Sequence, residues 1–315
     1  MQRRAAANTL PHDGLANQII TQLDWTRATC LVIDIGTGGV RIMPYDKAGA
    51  RVLPSPLRYA PLTQPGVSEI QAAQCDSFIA SVGPVLDEAR QIGIPNRNIL
   101  IVATEPMRVA PNRVAIKTKL EKTLGVAIEV LTAEDEMIYY GDSVLHRHPN
   151  IEAAYVFHCG NGNMGMICVK RGQFSLRNVW ATESGGCLER FYEYSDICER
   201  TRSICSNGDG TNIFVGTGAA FCSLVDKSLF DPESHFYSMP IEDFWVRLQQ
   251  LEHPTEAQSY VRQVVTNLLG ALPHIEIIIF DKGSLRDEIG RQFNRDPDSV
   301  RAKPPSLPYQ ALFPK

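Results

Sequence analysis

Hydrophobic residues along this chain form short continuous runs that alternate with segments in which they recur every three or four positions. The runs at residues 31–35 and 98–104 have the length and the β-branched content of buried strands. The segments at 68–93 and 112–124 have the spacing of helices with one apolar face. Because strands and helices alternate, we predict an α/β fold in which helices cover sheets.

Two of the strand pairs are hairpins that turn on glycines and are similar to each other. Gly36 and Gly38 of the first turn align with Gly160 and Gly162 of the second, about 124 positions further along the chain. The repeat predicts two similar halves, each presenting a glycine turn. Two unrelated hairpins are the alternative interpretation.

Breaks in the pattern divide the chain into four parts. We predict an N-terminal extension at 1–27, domain I at 28–150, domain II at 151–294 and a proline-rich tail at 295–315. The final helix, near 284–293, belongs to domain II by sequence and can pack back on domain I. A cleft between the two domains is the expected place for a ligand.

Composition changes this picture little but excludes several classes of function. The 315 residues are 44% hydrophobic and 21% charged, which is usual for a globular protein. A formal net charge of −4 argues against a nucleic-acid partner, and no apolar run is long enough to span a membrane. The eight cysteines form no Cys-x-x-Cys pair, so we expect reduced thiols and a cytoplasmic location, without disulfides or a zinc site.

The first glycine turn has the composition of an anion-binding site. Because Gly36, Gly38 and Gly39 lack side chains, their backbone amides could approach a phosphate oxygen closely. Asp34 ends the preceding apolar run, where its carboxylate could hold a metal ion that accompanies phosphate. An ordinary β-hairpin is the alternative for this stretch alone. If both glycine turns face one cleft, they would bind a chain of phosphates from two sides.

Four sequence segments follow one another in an order typical of a known family. They are Asp34–Gly38, Ala103–Asn112, Ile128–Glu136 and the second glycine turn at Gly160 and Gly162. In these segments the chain resembles the exopolyphosphatase/guanosine pentaphosphate phosphatase (Ppx/GppA) family, in its short two-domain form, within the actin–sugar kinase–heat-shock-70 superfamily. The resemblance implies two ribonuclease-H-like (actin-like ATPase) domains with a cleft between them.

The resemblance also implies a hydrolase that releases terminal phosphate from inorganic polyphosphate or guanosine pentaphosphate. Glu136 matches the general base of the family, and Arg108 matches the arginine that holds the phosphoryl group. Asp34 matches a carboxylate that binds a divalent metal ion, expected to be Mg²⁺, with Mn²⁺ as the alternative. The implied phosphate-binding residues are Gly36, Thr37, Gly38, Gly39, Arg108, Gly160, Asn161, Gly162 and Asn163. The implied partners are polyphosphate or a guanosine penta- or tetraphosphate, and a homodimer is a further expectation.

The second glycine turn departs from the family pattern. His158 occupies the position of an aspartate, and Asn161 and Asn163 replace a glycine and a serine. A second carboxylate is missing at Gly165, so two hard oxygen ligands for Mg²⁺ are lost. His158 has two interpretations, a core histidine or a ligand for a softer metal ion.

These departures leave three hypotheses for the function. The first is the hydrolase, and the second is a catalytically weakened regulatory protein that binds nucleotide or polyphosphate. The third is a kinase of the same superfamily, for which residues 215–218 are the one candidate for an adenosine-pocket motif in the sequence.

Local features of the predicted site complete the expectations. Thr132 is predicted to cap a helix that starts at residue 133. The first turn of that helix is acidic, and the charges of Glu134 and Asp135 should raise the pKa of Glu136. Asn112 is predicted to cap the preceding helix. Candidates for a basic track along a phosphate chain are Arg41, Lys117, Lys119 and Lys122.

Overall fold

The structure is a computed structural model. It describes residues 25–63, 69–160, 163–171, 179–183, 199–202, 204, 211–231, 235–251, 254–283, 285–296 and 300. Its strands are β1 Cys30–Gly36, β2 Gly39–Tyr45, β3 Leu57–Tyr59, β4 Ile99–Ala103, β5 Ile128–Val130, β6 Ala153–Cys159, β7 Asn163–Lys170, β8 Val179–Glu183, β9 Ile213–Thr217, β10 Phe236–Pro240 and β11 Ile277–Asp281. Its helices are α1 Ala72–Gln91, α2 Glu105–Val109, α3 Arg113–Leu124, α4 Ala133–Arg147, α5 Ala219–Cys222, α6 Ile241–Gln249, α7 Glu256–Gly270 and α8 Leu285–Arg295.

The strands form two mixed sheets that repeat one topology. The first has five strands in the order β3-β2-β1-β4-β5, and the second has six in the order β10-β11-β9-β6-β7-β8. Read from its other edge, the second sheet repeats the first as β8-β7-β6-β9-β11, with the same parallel and antiparallel pairs. β10 adds one antiparallel strand at the edge. The α/β class is therefore confirmed, and the two glycine hairpins are the equivalent central pairs β1–β2 and β6–β7.

The alternation of side chains along β1 places Asp34 on one face of the first sheet. The odd-numbered residues from Leu31 to Ile35 pack with α1 and α3 in one core cluster. Cys30 and Val32 face the opposite side, where they pack with α8. Asp34 has the same parity as Val32, so its carboxylate emerges on the α8 side at the carboxyl end of the strand.

Two helices connect the halves of the molecule. α4 packs on β6, β7 and β8 of the second sheet, where Gly141 allows the helix to approach closely, since a Cβ there would lie 2.5 Å from Val169 Cγ1. α8, near the end of the chain, packs on β1 and β2 of the first sheet and on α4. Each half of the chain thus supplies one helix that packs on the sheet of the other half, α4 on the second sheet and α8 on the first. The domain boundaries derived from the sequence stay predictions.

Polar contacts fasten α8 to the first sheet. Asp287 Oδ1 accepts hydrogen bonds from Tyr45 Oη at 2.9 Å and from Arg51 Nε at 2.7 Å. Arg286 is the residue before Asp287, so the contacts of Asp287 also fix the position of Arg286.

The structure corrects the prediction for Asn112. It occupies the N-cap position of α3, but its side chain does not cap the helix. Instead Asn112 Nδ2 donates to the carbonyl of Ile70 at 2.8 Å, and its Oδ1 accepts from the amide of Ile70 at 3.2 Å. The side chain thus satisfies both backbone groups of Ile70, just before α1 begins.

Other differences concern short elements. Residues 105–108 indicate a break in the sequence pattern, where the structure has α2. The proline-rich residues 54–66, which indicate an irregular connection or edge structure, contain the edge strand β3, and β10 was not predicted. The sequence also indicates a strand at 173–180 and a helix at 186–202. The structure has β8 at Val179–Glu183, and residues 172–178 lie outside the described residues. Most of the predicted helix 186–202, residues 1–24 and residues 301–315 also lie outside them. None of the described helices is both long and apolar enough to cross a membrane.

Replacing Asp287 by alanine should destabilise the protein by about 1–3 kcal/mol, because Arg51 and Tyr45 lose a charged acceptor. Urea unfolding measures this. Asp87→Ala is the control, since Asp87 is 67% exposed and pairs with Arg90 on the surface of α1; its effect should stay within about 0.5 kcal/mol. Equal effects of the two substitutions would contradict the role of this anchor.

Candidate functional site

A cavity of about 400 Å³ opens where the two glycine hairpins meet. Gly36, Thr37 and Gly38 line it from the first hairpin, and Gly160 and Asn163 line it from the second. The structure therefore brings both predicted turns to one cleft. Asn161 and Gly162 lie outside the described residues, so their roles toward phosphate stay predictions.

Glu136 reaches this cavity from the first turn of α4. The helix begins with a capping box in which Thr132 Oγ1 accepts from the Asp135 amide at 3.0 Å and Asp135 Oδ2 accepts from the Thr132 amide at 3.2 Å. The predicted cap is confirmed. It places Glu136 one residue further along, on the helix face that lines the cavity, where it is 4% exposed.

Arg108 lies behind Glu136 and is not among the described residues that line the cavity. Its Nη1 donates to Glu136 Oε1 at 2.5 Å and to the carbonyl of Leu131 at 2.6 Å. The contacts of Arg108 therefore hold the carboxylate of Glu136, whereas the sequence assigned this arginine to the phosphoryl group. Its role toward phosphate stays a prediction.

The pKa of Glu136 is raised to about 7. Burial is the main cause, the nearby charge of Asp34 adds to it, and Arg108 opposes it. Glu134 and Asp135, which the sequence suggested as the cause, do not supply the rise. Asp135 points into the capping box instead. A buried carboxyl group with a pKa near neutrality can both hold and release a proton at physiological pH.

Two arginines pair with Asp34, and a third lines the same cavity. Asp34 Oδ2 lies 3.4 Å from Arg41 Nη1 and 3.3 Å from Arg286 Nε, and Arg58 is the third arginine of the lining. Burial and the neighbouring Arg41 and Arg286 lower the pKa of Arg58. The described lining contains more cationic side chains than carboxylates, which leaves an excess of positive charge in the cleft.

The same contacts bear on the expected metal ion. Asp34 is already paired with two guanidinium groups, and within the described ranges no three His, Cys, Asp or Glu side chains are grouped to hold a metal ion. A dication beside these arginines would also meet charge repulsion. The described residues do not fit a resident divalent ion held by protein side chains alone.

His158 is buried, as the core interpretation predicts, and it also lines the cavity, whereas its role as a metal ligand stays a prediction. Its ring stacks on Tyr140 with the centroids 4.0 Å apart, and its Nδ1 lies 3.1 Å from Thr217 Oγ1. Burial and the charge of Arg41 lower the pKa of His158 to about 3. The imidazole is therefore neutral at physiological pH.

The first hairpin contains a carboxylate contact that the sequence did not suggest. Thr37 Oγ1 donates to Glu105 Oε2 at 2.6 Å, and Glu105 is buried at the start of α2. Gly39 does not line the cavity. It pairs with Gly36 across the turn, and a Cβ on it would lie 2.7 Å from the carbonyl oxygen of Tyr59.

Basic residues of the second half complete the cavity. Lys227 and Lys282 line it, and Lys282 Nζ also lies 3.4 Å from the centre of the Phe230 ring. The neighbouring Asp281 is fully buried and accepts from Arg147 Nη1 at 2.6 Å, which fixes the end of β11 against α4.

Only part of the predicted basic track lies at the cavity. Arg41 lines it, whereas Lys117, Lys119 and Lys122 of α3 do not. Lys117 pairs with Glu121 of the same helix, and Lys119 pairs with Asp76 of α1. Arg58 and Lys227 were missed, since no sequence pattern marks them. Lys282 and Arg286 lie in residues 281–286, which resemble a later motif of the same family only approximately.

Structural comparison assigns this architecture to the two-domain, actin-like class of fold. An exopolyphosphatase from Cytophaga hutchinsonii aligns with a TM-score of 0.62 at 13% identity, over 84% of this chain and 97% of that one. A Ppx/GppA family member from Aquifex aeolicus aligns with a TM-score of 0.64 at 15% identity, over 87% and 98%. The type II variant of the Aquifex aeolicus Ppx/GppA phosphatase aligns with a TM-score of 0.63 at 16% identity, over 84% and 98%.

The fold implied by the sequence motifs is thereby confirmed. No protein-family model matches the chain, and no curated protein matches it in sequence. At 13–16% identity the structural likeness establishes the fold alone. The activity has to be argued from the side chains of the cleft.

Gly218→Ala should damage the cavity wall. Gly218 has φ +90°, and a Cβ there would lie 2.3 Å from the carbonyl oxygen of Cys159. We expect a loss of about 1–3 kcal/mol in stability, measured by urea unfolding. Gly270→Ala is the matched control, because a Cβ at Gly270 meets nothing within 4 Å. If both variants behave alike, the close packing at Gly218 does not matter.

Proposed function

We propose that the protein hydrolyses the terminal phosphoanhydride bond of inorganic polyphosphate or of guanosine pentaphosphate. One observation carries the proposal: Glu136, with a pKa of about 7, faces the same cavity as two glycine turns and a cluster of arginines. A base, backbone amides and excess positive charge are what attack by water on a phosphate chain requires. The shared fold with exopolyphosphatase structures is consistent with this activity.

The phosphate chain binds first. Gly36, Thr37 and Gly38 line the cavity from one side and Gly160 from the other, so their backbone amides are available to phosphate oxygens. Arg41, Arg58 and Arg286, which line the same cavity, compensate the negative charge of the chain. Lys227 and Lys282 extend this positive surface on the second half.

The chemical step places a water molecule between Glu136 and the terminal phosphorus. Glu136 takes one proton as the oxygen–phosphorus bond forms, and the bond from phosphorus to the bridging oxygen breaks. The leaving oxygen keeps the electron pair as negative charge, which the guanidinium groups stabilise. Arg108 holds the carboxylate so that one oxygen is directed at the water.

The remaining expectations stay predictions. The divalent metal ion expected at Asp34, Mg²⁺ or Mn²⁺, stays a prediction, and no step of the proposed mechanism uses it. The homodimer, the cytoplasmic location and the choice between polyphosphate and a guanosine polyphosphate are likewise predictions.

A regulatory protein that binds the phosphate chain without turnover is the second candidate. The observation that favours it is that the neutral His158 and Gly165 occupy positions of the second hairpin where the family pattern has carboxylates. It shares the binding step with the hydrolase and differs only in the release of phosphate.

Glu136→Gln should lower the rate of phosphate release from tripolyphosphate and from guanosine pentaphosphate by about 10²–10⁴-fold. The amide keeps the size of the side chain but cannot accept the proton. The assay is run with Mg²⁺, with Mn²⁺ and with EDTA. Glu134→Gln is the control, since Glu134 lies on the same helical turn but does not line the cavity. Binding without release in the wild type would favour the regulatory candidate.

The rate should depend on pH through Glu136. The base must be ionised, and burial raises its pKa to about 7, so the rate should rise tenfold per pH unit below pH 7 and level off above it. Initial rates from about pH 5 to about pH 9 measure this. A flat profile over that range would contradict Glu136 as the base.

A further inference from the structure

The contacts of Thr217 bear on where the proton of His158 lies. Thr217 Oγ1 lies 3.3 Å from the carbonyl oxygen of Phe157 and 3.1 Å from His158 Nδ1. A carbonyl oxygen can only accept, so the arrangement that satisfies both contacts has the hydroxyl donating to the carbonyl and accepting from Nδ1. The structure thus assigns the proton to Nδ1 and leaves a lone pair on Nε2.

The lone pair on Nε2 is directed toward the turn of the second hairpin. A Cβ on Gly160 would lie 2.8 Å from His158 Nε2 and 3.3 Å from Asn163 Oδ1. The two side chains therefore meet over Gly160, whose lack of a side chain keeps Nε2 accessible from the cavity. Tyr140, stacked on the ring, holds its plane.

Asn163 connects this region with the general base. Its amide lies close enough to Glu136 to lower the pKa of that carboxyl group, yet its Nδ2 makes no hydrogen bond of ordinary geometry to any described residue. Asn163 is 6% exposed. Glu136, Asn163 and His158 thus form one continuous strip of the cavity wall, with a buried donor between two acceptors.

The chemistry of Nε2 restricts what can sit against it. An ionised phosphate oxygen offers only lone pairs, so it would be repelled by the lone pair of a neutral imidazole. A water molecule can donate to Nε2. The ring stays neutral above about pH 4, because the pKa of His158 is lowered to about 3.

We propose that His158 Nε2 is the second acceptor for the attacking water. Glu136 takes one proton of the water, while the other O–H donates to Nε2 without transfer of its proton. The new oxygen–phosphorus bond then carries that second proton on the released phosphate. Two acceptors fix the orientation of the water, whereas Glu136 alone would leave it free to rotate. This role rests on the proposed hydrolase.

Variants of His158 test the proposal by kinetics. His158→Gln keeps an acceptor near the place of Nε2, whereas His158→Asn reaches only the place of Nδ1. We expect the Asn variant to lose about tenfold in kcat with KM changed less than about twofold, and the Gln variant to recover most of the loss. His146→Gln is the control, because His146 is exposed on α4 and does not line the cavity.

The tautomer supplies a test that needs no activity. Nitrogen-15 spectra of histidine-labelled wild type should contain, among the signals of the seven histidines, a ring that is neutral and protonated at Nδ1 between about pH 5 and about pH 8, and this signal should be missing from His158→Gln. A His158 signal protonated at Nε2, or charged, would overturn the proposal. So would an active wild type with equal kcat in the Asn and Gln variants. A wild type with the assigned tautomer that releases no phosphate would instead refute the hydrolase, and the role of His158 with it.

Discussion

The buried pair of Arg108 and Glu136 is the interaction on which the rest of the cleft depends. A carboxylate that is 4% exposed is costly to ionise, and only a close cation makes its charged form accessible near neutral pH. Arg108 lies on α2, which follows β4, and Glu136 lies on α4, which follows β5. Because β4 and β5 are neighbours in the sheet, the pair joins the two helices that follow them. Removing Arg108 would leave an uncompensated charge, and removing Glu136 would leave another.

The two equivalent hairpins have come to differ in charge. Around the first, Asp34 pairs with Arg41 and Arg286, and Arg58 lines the same cavity, so this side of the cleft is strongly positive. The second presents neutral groups, the imidazole of His158 and the amide of Asn163. One topology thus supplies two electrostatic environments.

Much of the fold could be predicted from sequence because its signals are local. Continuous apolar runs marked β1 and β4, repeated glycines marked the two hairpins, and the capping box at Thr132 placed Glu136 at the start of α4. These patterns arise within a few residues of one another.

The rest depends on contacts between distant segments. Arg286 reaches Asp34 across 252 positions, and nothing near either residue indicates the meeting. The pKa of Glu136 is set mainly by burial, which adjacent charges in the sequence do not reveal. Asn112 failed as a predicted cap for a similar reason, because the backbone groups of Ile70, 42 positions away, compete for its side chain.

The crossing of α4 and α8 has a consequence for how the protein is made. The first sheet is complete in sequence by β5, but α8, which packs on one face of β1, is synthesised about half a chain later. During translation that apolar face therefore lacks part of its cover until α8 is made. Arg286, which pairs with Asp34 in the cavity, is made together with α8. A nascent chain therefore has no competent site before its second half has folded, which couples assembly of the cleft to completion of the fold.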